Sequence, residues 1–309
     1  MLKKMLFFII FFVLFVSVNT YAIGNGLIIK EKKVENPKGE SLIYYLGMRE
    51  ENSLSNTLFI GIQGSQRDSN KRFDFWSDFA PENADLLLLE KYAFYNKKLY
   101  NKTNCRQRRI KDIEFVVKYV LNNIYNNNLK NIVLFGGSEG GVISPEIASN
   151  LEEITHMVVI GAGGYSQARE LDILLKQEIN SEEERLLEKI GIRNKEDLQN
   201  KFDEIRNNPS PDKFWFGCTY KKWNSYLDYS PEEYITDLDI PLLFIIGKKD
   251  KMVPYQSVEY LAKKLRDKVN FRFEILPGLN HSFTDKDGNN KMNYIIEQII
   301  FPWYRENGI

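Results

Sequence analysis

The chain has 309 residues, with 42 lysines and arginines against 42 aspartates and glutamates, so its formal net charge is zero. This balance argues against nucleic-acid binding, which is driven by an excess of basic residues. Two cysteines and two histidines are too few for a zinc site built from Cys and His clusters. Both a disulfide between Cys105 and Cys218 and two separate thiols fit the sequence. The length suits one large α/β domain or one domain with an insertion.

A basic start, an apolar run and a small-residue exit mark residues 1–22. Two lysines precede an apolar stretch over residues 5–18, and Thr20 and Ala22 form an acceptable cleavage pair. This pattern is typical of a secretory signal peptide, and the run is short for a membrane span, which needs about 20 apolar residues. We expect export to the periplasm or the medium, with an uncleaved membrane anchor as the alternative. The folded domain is then expected over residues 23–309.

Strand and helix patterns alternate along the rest of the chain. Apolar, β-branched runs predict strands over residues 26–30, 41–46, 57–62, 86–90, 132–135, 157–160, 242–246 and 271–276. Apolar positions at helical spacing predict helices over residues 106–126, 259–268 and 293–301. The later strands are continuous apolar runs, which is typical of strands buried on both faces of a parallel sheet. This alternation predicts an α/β fold with a mostly parallel, eight-stranded sheet flanked by helices.

The segment over about residues 165–238 interrupts this alternation. It has no strong strand pattern, but charged helical stretches cover residues 170–176 and 181–190. An aromatic group follows, made of Phe214, Trp215, Phe216, Tyr220, Trp223, Tyr226 and Tyr229. An insertion of this length in a compact fold is usually structured, so we expect a helical cap here. Its aromatic rings either pack the cap onto the main domain or line a pocket beneath it.

Residues 131–141 combine an apolar strand pattern with a serine between glycines. Ser138 follows the strand, with Gly136 and Gly140 two residues away on either side, and the residues after it can form a helix. A serine on such a sharp strand-to-helix turn exposes its hydroxyl above a helix N-terminus, where developing negative charge is favoured. The pattern predicts a nucleophile at Ser138, although a plain β–α turn also fits these residues.

A serine nucleophile requires a base that takes its proton. His281 follows the last predicted strand, on a loop at the carboxyl edge of the sheet, where open α/β sheets build their sites. His156 stands at the entry of a buried strand, and we expect a structural role for it. His281 is therefore the expected base.

The base usually needs a carboxylate that orients it. Asp250 lies in the loop after the strand predicted at residues 242–246. Asp285 and Asp287 are competing candidates, but they follow the histidine on a glycine-containing turn that is typical of solvated loops. We expect Asp250 to complete the triad.

The remaining part of such a site is an oxyanion hole made of two backbone N–H groups. One donor is the N–H of the residue after the nucleophile, here Glu139. We expect the other in the loop after residues 57–62, at Ser65, with Gln66 as the alternative register. The Glu139 side chain either attracts an ammonium group of the substrate or serves only as an acid in the first helical turn.

The chain order Ser138, Asp250, His281 resembles that of the α/β-hydrolase superfamily, in the capped group of serine aminopeptidases and dienelactone-hydrolase-like proteins. The resemblance covers about residues 58–302 and includes the segments GKKDKMVP around the aspartate and GLNHSF around the histidine. Many members have His-Gly where this chain has Gln63-Gly64, a departure that leaves the backbone donor available.

The resemblance implies the α/β-hydrolase fold and a serine hydrolase that forms an acyl-enzyme without a metal or cofactor. We expect a hydrolase of carboxylic esters or thioesters. Two alternatives stay open: a serine exopeptidase or oligopeptidase for short peptides, and a non-catalytic binding protein of the same fold. The expected partner is a small acyl substrate or a short peptide, with no nucleic acid and no membrane contact beyond the signal peptide or an N-terminal anchor.

Overall fold

Helices and strands alternate along most of the chain in a computed structural model that describes residues 20–22, 26–49, 54–179 and 186–309. The strands are β1 (Thr20–Ala22), β2 (Ile28–Glu35), β3 (Ser41–Met48), β4 (Thr57–Ile62), β5 (Asp85–Leu89), β6 (Asn131–Gly137), β7 (His156–Ile160), β8 (Phe214–Trp215), β9 (Cys218–Thr219), β10 (Leu242–Gly247) and β11 (Phe271–Leu276). The helices are α1 (Phe73–Phe79), α2 (Lys97–Thr103), α3 (Arg106–Asn123), α4 (Glu139–Asn150), α5 (Gln167–Ile179), α6 (Leu186–Lys189), α7 (Lys195–Asn207), α8 (Tyr220–Tyr226), α9 (Glu232–Ile235), α10 (Gln256–Lys264), α11 (Met292–Ile295) and α12 (Phe301–Glu306), with a π-helical turn at Ile296–Ile300 between the last two.

The main sheet has nine strands within the described residues, in the order β1-β2-β3-β5-β4-β6-β7-β10-β11. The pairs β1/β2, β2/β3 and β3/β5 are antiparallel, and the other pairs are parallel. Every position of β4, β7 and β10 is buried, which agrees with their continuous apolar sequences. The sheet is mostly parallel, as predicted, and the short β1 adds one edge strand to the eight that were predicted.

The predicted signal segment falls mostly on residues 1–19, which lie outside the described residues. Its last three residues form β1, where Tyr21 pairs with Ile29 of β2. The ring of Tyr21 contacts Phe73 at 5.3 Å between centroids, and its hydroxyl accepts a hydrogen bond from Lys71 at 2.9 Å. Over the described ranges, no helix is both long enough and apolar enough to cross a membrane.

Helices cover both faces of the sheet and bury its apolar side chains. One face packs against α3, α4 and α10 through residues such as Val117, Ile147 and Val258. The opposite face packs against α1 and the C-terminal helices, with Phe79 and Ile300 fully buried. Because both faces are covered, ligands can reach the sheet only at the ends of its strands.

Several helix boundaries differ from the predicted ones. Helix α3 ends at Asn123 rather than at residue 126, because Asn126 and Asn127 have φ values of 50° and 57°, a left-handed conformation that asparagine tolerates. Helix α10 begins and ends a few residues earlier than predicted. The helix predicted over residues 181–190 begins in residues that are not described, and its second half contains α6.

Between β7 and β10 the chain forms a segment that we call the insertion, defined as residues 165–238. It contains α5 to α9 and a two-stranded hairpin of β8 and β9. Apolar side chains of the insertion form a cluster of their own, made of Leu171, Leu174, Leu175, Leu187, Ile192, Leu198, Phe202, Ile205, Trp215, Tyr220 and Leu227. Tyr226 and Tyr229 instead pack into the core of the main domain. The hairpin was not predicted, because two-residue strands joined at Phe216 and Gly217 are too short to show an alternating pattern.

Candidate active site

Ser138 lies on a sharp turn between β6 and α4. Its φ and ψ angles are 51° and −122°, a region that a residue other than glycine rarely adopts. The Ser138 N–H donates to the carbonyl of Ile160 in the neighbouring strand at 2.9 Å. This bond helps to hold the serine in its strained conformation, at the N-terminus of α4.

The glycines on either side of Ser138 are required by close backbone contacts. A Cβ atom on Gly140 would lie 2.1 Å from the carbonyl oxygen of Ile62, which belongs to β4. A Cβ atom on Gly136 would lie 2.3 Å from the hydroxyl of Ser144 and 2.7 Å from the backbone of Gly140. The turn can therefore be this tight only with glycine at both positions.

His281 brings its imidazole ring against the serine. Its Nε2 atom lies 3.2 Å from Ser138 Oγ, and its Nδ1 atom lies 2.7 Å from Asp250 Oδ2. The Asp250 side chain is fully buried, whereas 27% of the His281 side chain is exposed. The structure thus brings together the serine, histidine and aspartate that the sequence pattern singled out.

Asp250 is held by its own loop after β10. Its Oδ1 atom accepts hydrogen bonds from the N–H groups of Met252 and Val253 at 2.7 and 2.9 Å. Because Oδ1 is satisfied in this way, Oδ2 is left to accept the Nδ1 proton of His281. The tautomer with a proton on Nδ1 leaves Nε2 free to accept the proton of the Ser138 hydroxyl.

The other histidine and the competing aspartate, His156 and Asp285, contact other parts of the structure. His156 Nδ1 contacts Thr155 Oγ1 at 2.7 Å, and its ring packs edge-on against Trp303. Burial lowers the pKa of His156, as expected for a structural histidine. Asp285 accepts hydrogen bonds within its turn and pairs with Lys291 at 3.1 Å, and backbone hydrogen bonds lower its pKa to about 2.

The loop after β4 lies against the serine. A Cβ atom on Gly64 would lie 3.4 Å from Ser138 Cβ. Ser65, Gln66 and Glu139 line the same cavity as Ser138. Within the described part of the chain, neither the N–H of Ser65 nor that of Glu139 donates to a protein acceptor. Both groups are therefore available to a ligand.

The carboxylate of Glu139 is the centre of a buried ionic cluster. It contacts Lys222 Nζ at 2.5 Å, the Tyr226 hydroxyl at 3.0 Å and the guanidinium of Arg109. Burial alone would raise the pKa of Glu139, but the cations of Lys222, Arg109 and Lys91 together hold it well below its usual value. The carboxylate is thus neutralised by the protein and is not available to an ammonium group of a substrate.

The cations of this cluster were not predicted from the sequence. Arg109 lies on the apolar side of α3, next to the buried Ile110, and a charged residue at such a position was the available signal. Lys222 belongs to α8 of the insertion, and nothing in its local sequence distinguishes it from the neighbouring Lys221.

A cavity of about 610 Å³ opens in front of Ser138, within the range of about 300–1,000 Å³ that is usual for small-molecule sites. Its wall contains aromatic side chains from the main domain and the insertion, namely Phe75, Trp76, Phe216, Trp223, Tyr226 and Phe283. Cys218 also lies on this wall, and both Cys218 and Cys105 are free thiols. In the residues that the structure describes, no group of three or more His, Cys, Asp or Glu side chains is arranged to hold a metal ion.

Glu170 contributes a second buried acid to the cavity wall. Burial raises the pKa of its carboxyl to about 8, although a hydrogen bond with Ser257 acts in the opposite direction. One of its oxygens, Oε1, has no hydrogen-bond partner among the described residues. The Glu170 carboxyl is therefore neutral near pH 7.

The sequence of this chain is similar to those of known proteins. The BD-FAE family model matches residues 45–265, a range that includes Ser138 and Asp250. Esterase EstD of Thermotoga maritima is 25% identical over 163 residues, which cover 52% of this chain and 37% of that protein. The acylamino-acid-releasing enzyme of Rattus norvegicus is 25% identical over 186 residues, which cover 59% of this chain and 22% of that enzyme. The matches thus span well under half the length of these curated relatives.

Solved structures share the architecture at lower sequence identity. Est1E from Butyrivibrio proteoclasticus matches with a TM-score of 0.57 and 14% identity. The match covers 90% of this chain and 98% of Est1E. Because the identity is low, this likeness concerns the fold and not the substrate.

Proposed function

The chain belongs to the BD-FAE family and has the α/β-hydrolase fold that its motifs predicted, and on that premise we propose that it is a serine hydrolase of carboxylic esters or thioesters. One observation carries the proposal. Ser138, His281 and Asp250 form an unbroken hydrogen-bonded row whose serine faces a cavity of substrate size. Such a row is the arrangement that activates a serine hydroxyl as a nucleophile.

The proposed reaction proceeds through an acyl-enzyme. His281 Nε2 accepts the Ser138 proton while Oγ attacks the acyl carbon, and Asp250 stabilises the imidazolium. The N–H groups of Ser65 and Glu139 bind the oxyanion, and losing one such donor costs on the order of 10²–10³ in rate. His281 then gives its proton to the leaving alcohol or thiol. Water attacks the acyl-enzyme in the same way, with His281 again as the base, and releases the acid.

Neither of the two buried acids in the cavity favours a substrate with a free ammonium group. Glu139 is already paired with Arg109 and Lys222, and Glu170 keeps its proton below a pH of about 8. Neither offers a charged carboxylate to a free peptide N-terminus, which an aminopeptidase must recognise. The similarity to an acylamino-acid-releasing enzyme keeps peptide hydrolysis as the second candidate.

Labelling with a fluorophosphonate probe tests whether Ser138 is a nucleophile. We expect an adduct on Ser138 in the folded protein. Absence of an adduct would exclude both ester hydrolysis and peptide hydrolysis and would favour a non-catalytic binding protein. A panel of p-nitrophenyl acyl esters and acyl thioesters, set against aminoacyl and acylaminoacyl arylamides, then separates the two enzyme readings. Faster turnover of an arylamide than of every ester would overturn the ester assignment.

Substitution of the triad tests the mechanism. We expect Ser138→Ala and His281→Ala to lower kcat at least 10³-fold, in keeping with removal of a triad member, with unchanged circular dichroism. The matched control is His156→Gln, because His156 is the other histidine of the chain and contacts Thr155 rather than the serine. Full activity in either triad variant would refute the mechanism.

We also propose that the chain is exported, because of the signal-like pattern of residues 1–22. N-terminal sequencing of the protein recovered from the cell envelope and the medium tests this. An intact Met1 on protein from the cytoplasmic fraction would refute export, and an intact Met1 on membrane-bound protein would indicate the uncleaved anchor.

A further inference from the structure

Buried cations hold the loop after β4 by its backbone carbonyls. Arg109 Nη2 donates to the carbonyl of Gln63 at 2.7 Å. Lys91 Nζ donates to the carbonyl of Gly64 at 2.6 Å and also to that of Gln66. Lys222 Nζ lies 3.3 Å from the remaining carbonyl, that of Ser65. Each carbonyl of residues 63–66 is thus bound by a charged side chain.

The position of Lys91 in the chain explains how its side chain contacts the loop after β4. It lies two residues after the end of β5, next to Glu90, whose carboxylate accepts from the Asn70 N–H at 2.8 Å and from the Ser69 hydroxyl. Lys91 and Glu90 therefore hold the two ends of the loop at residues 64–70. Since β5 is hydrogen-bonded to β4, the loop is fastened to the strand beside the one from which it emerges.

Lys91 differs from the other cations of this region because it lacks a direct counterion. Its side chain is 6% exposed, and among the described residues no carboxylate lies within ion-pairing distance of its Nζ. Burial and the neighbouring Arg109 hold the pKa of Lys91 well below its usual value. Burying a lysine without an ion-pair partner is costly, so the contacts of Lys91 call for an explanation.

Peptide geometry indicates what Lys91 does. The carbonyl of Gly64 and the N–H of Ser65 belong to one planar, trans peptide group, in which the two bonds point in opposite directions. When Lys91 holds the carbonyl, the N–H is directed away from the lysine. That N–H has no acceptor within the described residues, and Ser65 lines the cavity beside Ser138.

We propose that Lys91 is a positioning residue of the oxyanion hole: by holding the Gly64 carbonyl it aims the Ser65 N–H at the oxyanion that forms on the Ser138 adduct. This inference rests on the proposed function. Lys91 does not touch the substrate, and it acts through the peptide between Gly64 and Ser65. Lys91 thus orients the N–H of Ser65, the first of the two expected registers.

The test is Lys91→Met, assayed with the best p-nitrophenyl ester of the panel. Because misplacing a catalytic group by about 1 Å costs on the order of 10² in rate, we expect kcat to fall about 10- to 100-fold with KM unchanged. The affinity for a trifluoromethyl ketone, which forms an anionic hemiketal with the serine, should fall by the same factor. Binding of the corresponding ether, which has no carbonyl and forms no oxyanion, should change less than twofold.

Control variants separate positioning from a general loss of structure. Lys268→Met is the matched control, because Lys268 also donates to a backbone carbonyl, that of Leu238 at 2.8 Å, but far from the cavity. It should leave both constants unchanged. Lys91→Gln retains an N–H donor without the charge and covers the case in which the methionine variant does not fold; we expect an intermediate loss of kcat.

The outcomes distinguish this inference from the proposed function. An unmodified chain that neither reacts with the probe nor turns over any substrate would refute the proposed function itself. An active chain whose Lys91 variants keep kcat within twofold would overturn the positioning role alone. Equal losses of affinity for the trifluoromethyl ketone and for the ether would also overturn it, because they would indicate a collapsed pocket.

Discussion

Neutralising Glu139 should destabilise the protein far more than removal of an ordinary surface acid. Glu139→Gln removes one negative charge and changes the shape of the side chain little. In the native protein the carboxylate contacts Lys222, Arg109 and Tyr226, and all of these side chains are buried. The glutamine leaves the two cations without their counterion in a site that is almost entirely buried.

The expected loss in the free energy of unfolding follows from the burial of these ion pairs. Breaking a buried ion pair by removing one partner costs about 3–5 kcal/mol, and Coulomb's law gives a similar figure of about 4 kcal/mol for unit charges 4 Å apart near a protein surface. The amide oxygen of glutamine still accepts one hydrogen bond, which favours the lower end of this range. We expect a loss of about 3 kcal/mol and a fall in Tm of roughly 5 °C for a chain of this length.

The stability lost in Glu139→Gln should become smaller only when the pH is lowered. The pKa of Glu139 in the folded protein lies well below its value of 4.5 in the unfolded chain. The carboxylate therefore contributes its full stabilisation above about pH 4.5, and the contribution is lost as the pH falls from there towards the folded pKa. The difference between the native protein and Glu139→Gln should be constant between pH 6 and 8 and shrink below about pH 4.5.

Urea unfolding followed by circular dichroism measures both effects. Glu259→Gln is the matched control, because Glu259 pairs with Lys263 on an exposed helix face, where an ion pair contributes less than about 1 kcal/mol. The double variant Glu139→Gln/Lys222→Met should recover part of the loss, since it removes one of the unpaired cations. A Glu139→Gln variant as stable as the control at pH 7 would refute the reasoning.

Two further predictions concern the walls of the site. Gly140→Ala should abolish activity and lower stability by several kcal/mol, because its Cβ would lie 2.1 Å from the Ile62 carbonyl; thermal unfolding that matches the native protein would contradict this. Glu170→Gln should flatten the pH dependence of stability, because burial raises the pKa of Glu170 to about 8 in the fold. Relative to the variant, the free energy of unfolding of the native protein should then fall by up to about 1.4 kcal/mol per pH unit between pH 4.5 and 8. Parallel curves of unfolding free energy against pH, measured by urea titration, would contradict this prediction.

The sequence predicted the fold and the positions of the candidate triad for one physical reason. Strands buried on both faces are continuous apolar runs, and parallel strands place the loops after them at one edge of the sheet. Ser138, Asp250 and His281 each follow such a strand, so their proximity could be expected before any coordinates. The strand bounds at β4 and β11 were predicted to the residue.

The residues around the triad could not be predicted in this way. Lys91, Arg109 and Lys222 come from a loop and two separate helices, and their contacts arise from packing over long sequence distances. A lysine that donates to a backbone carbonyl has no signature in its neighbours along the chain. The roles proposed for Ser65 and Glu139 depend on these contacts, which only three-dimensional coordinates reveal.

Strand β1 covers part of one edge of the main sheet. It covers only the first three positions of β2, from Ile28 to Lys30. Cleavage after Ala22, where the signal pattern ends, would remove it and expose those backbone groups at the edge of the sheet. An open edge invites pairing with another chain, and lysines are a common protection against it; β2 carries Lys32 and Lys33 in its uncovered part. The edge would thus be protected by a paired strand in the precursor and by charged side chains in the processed protein.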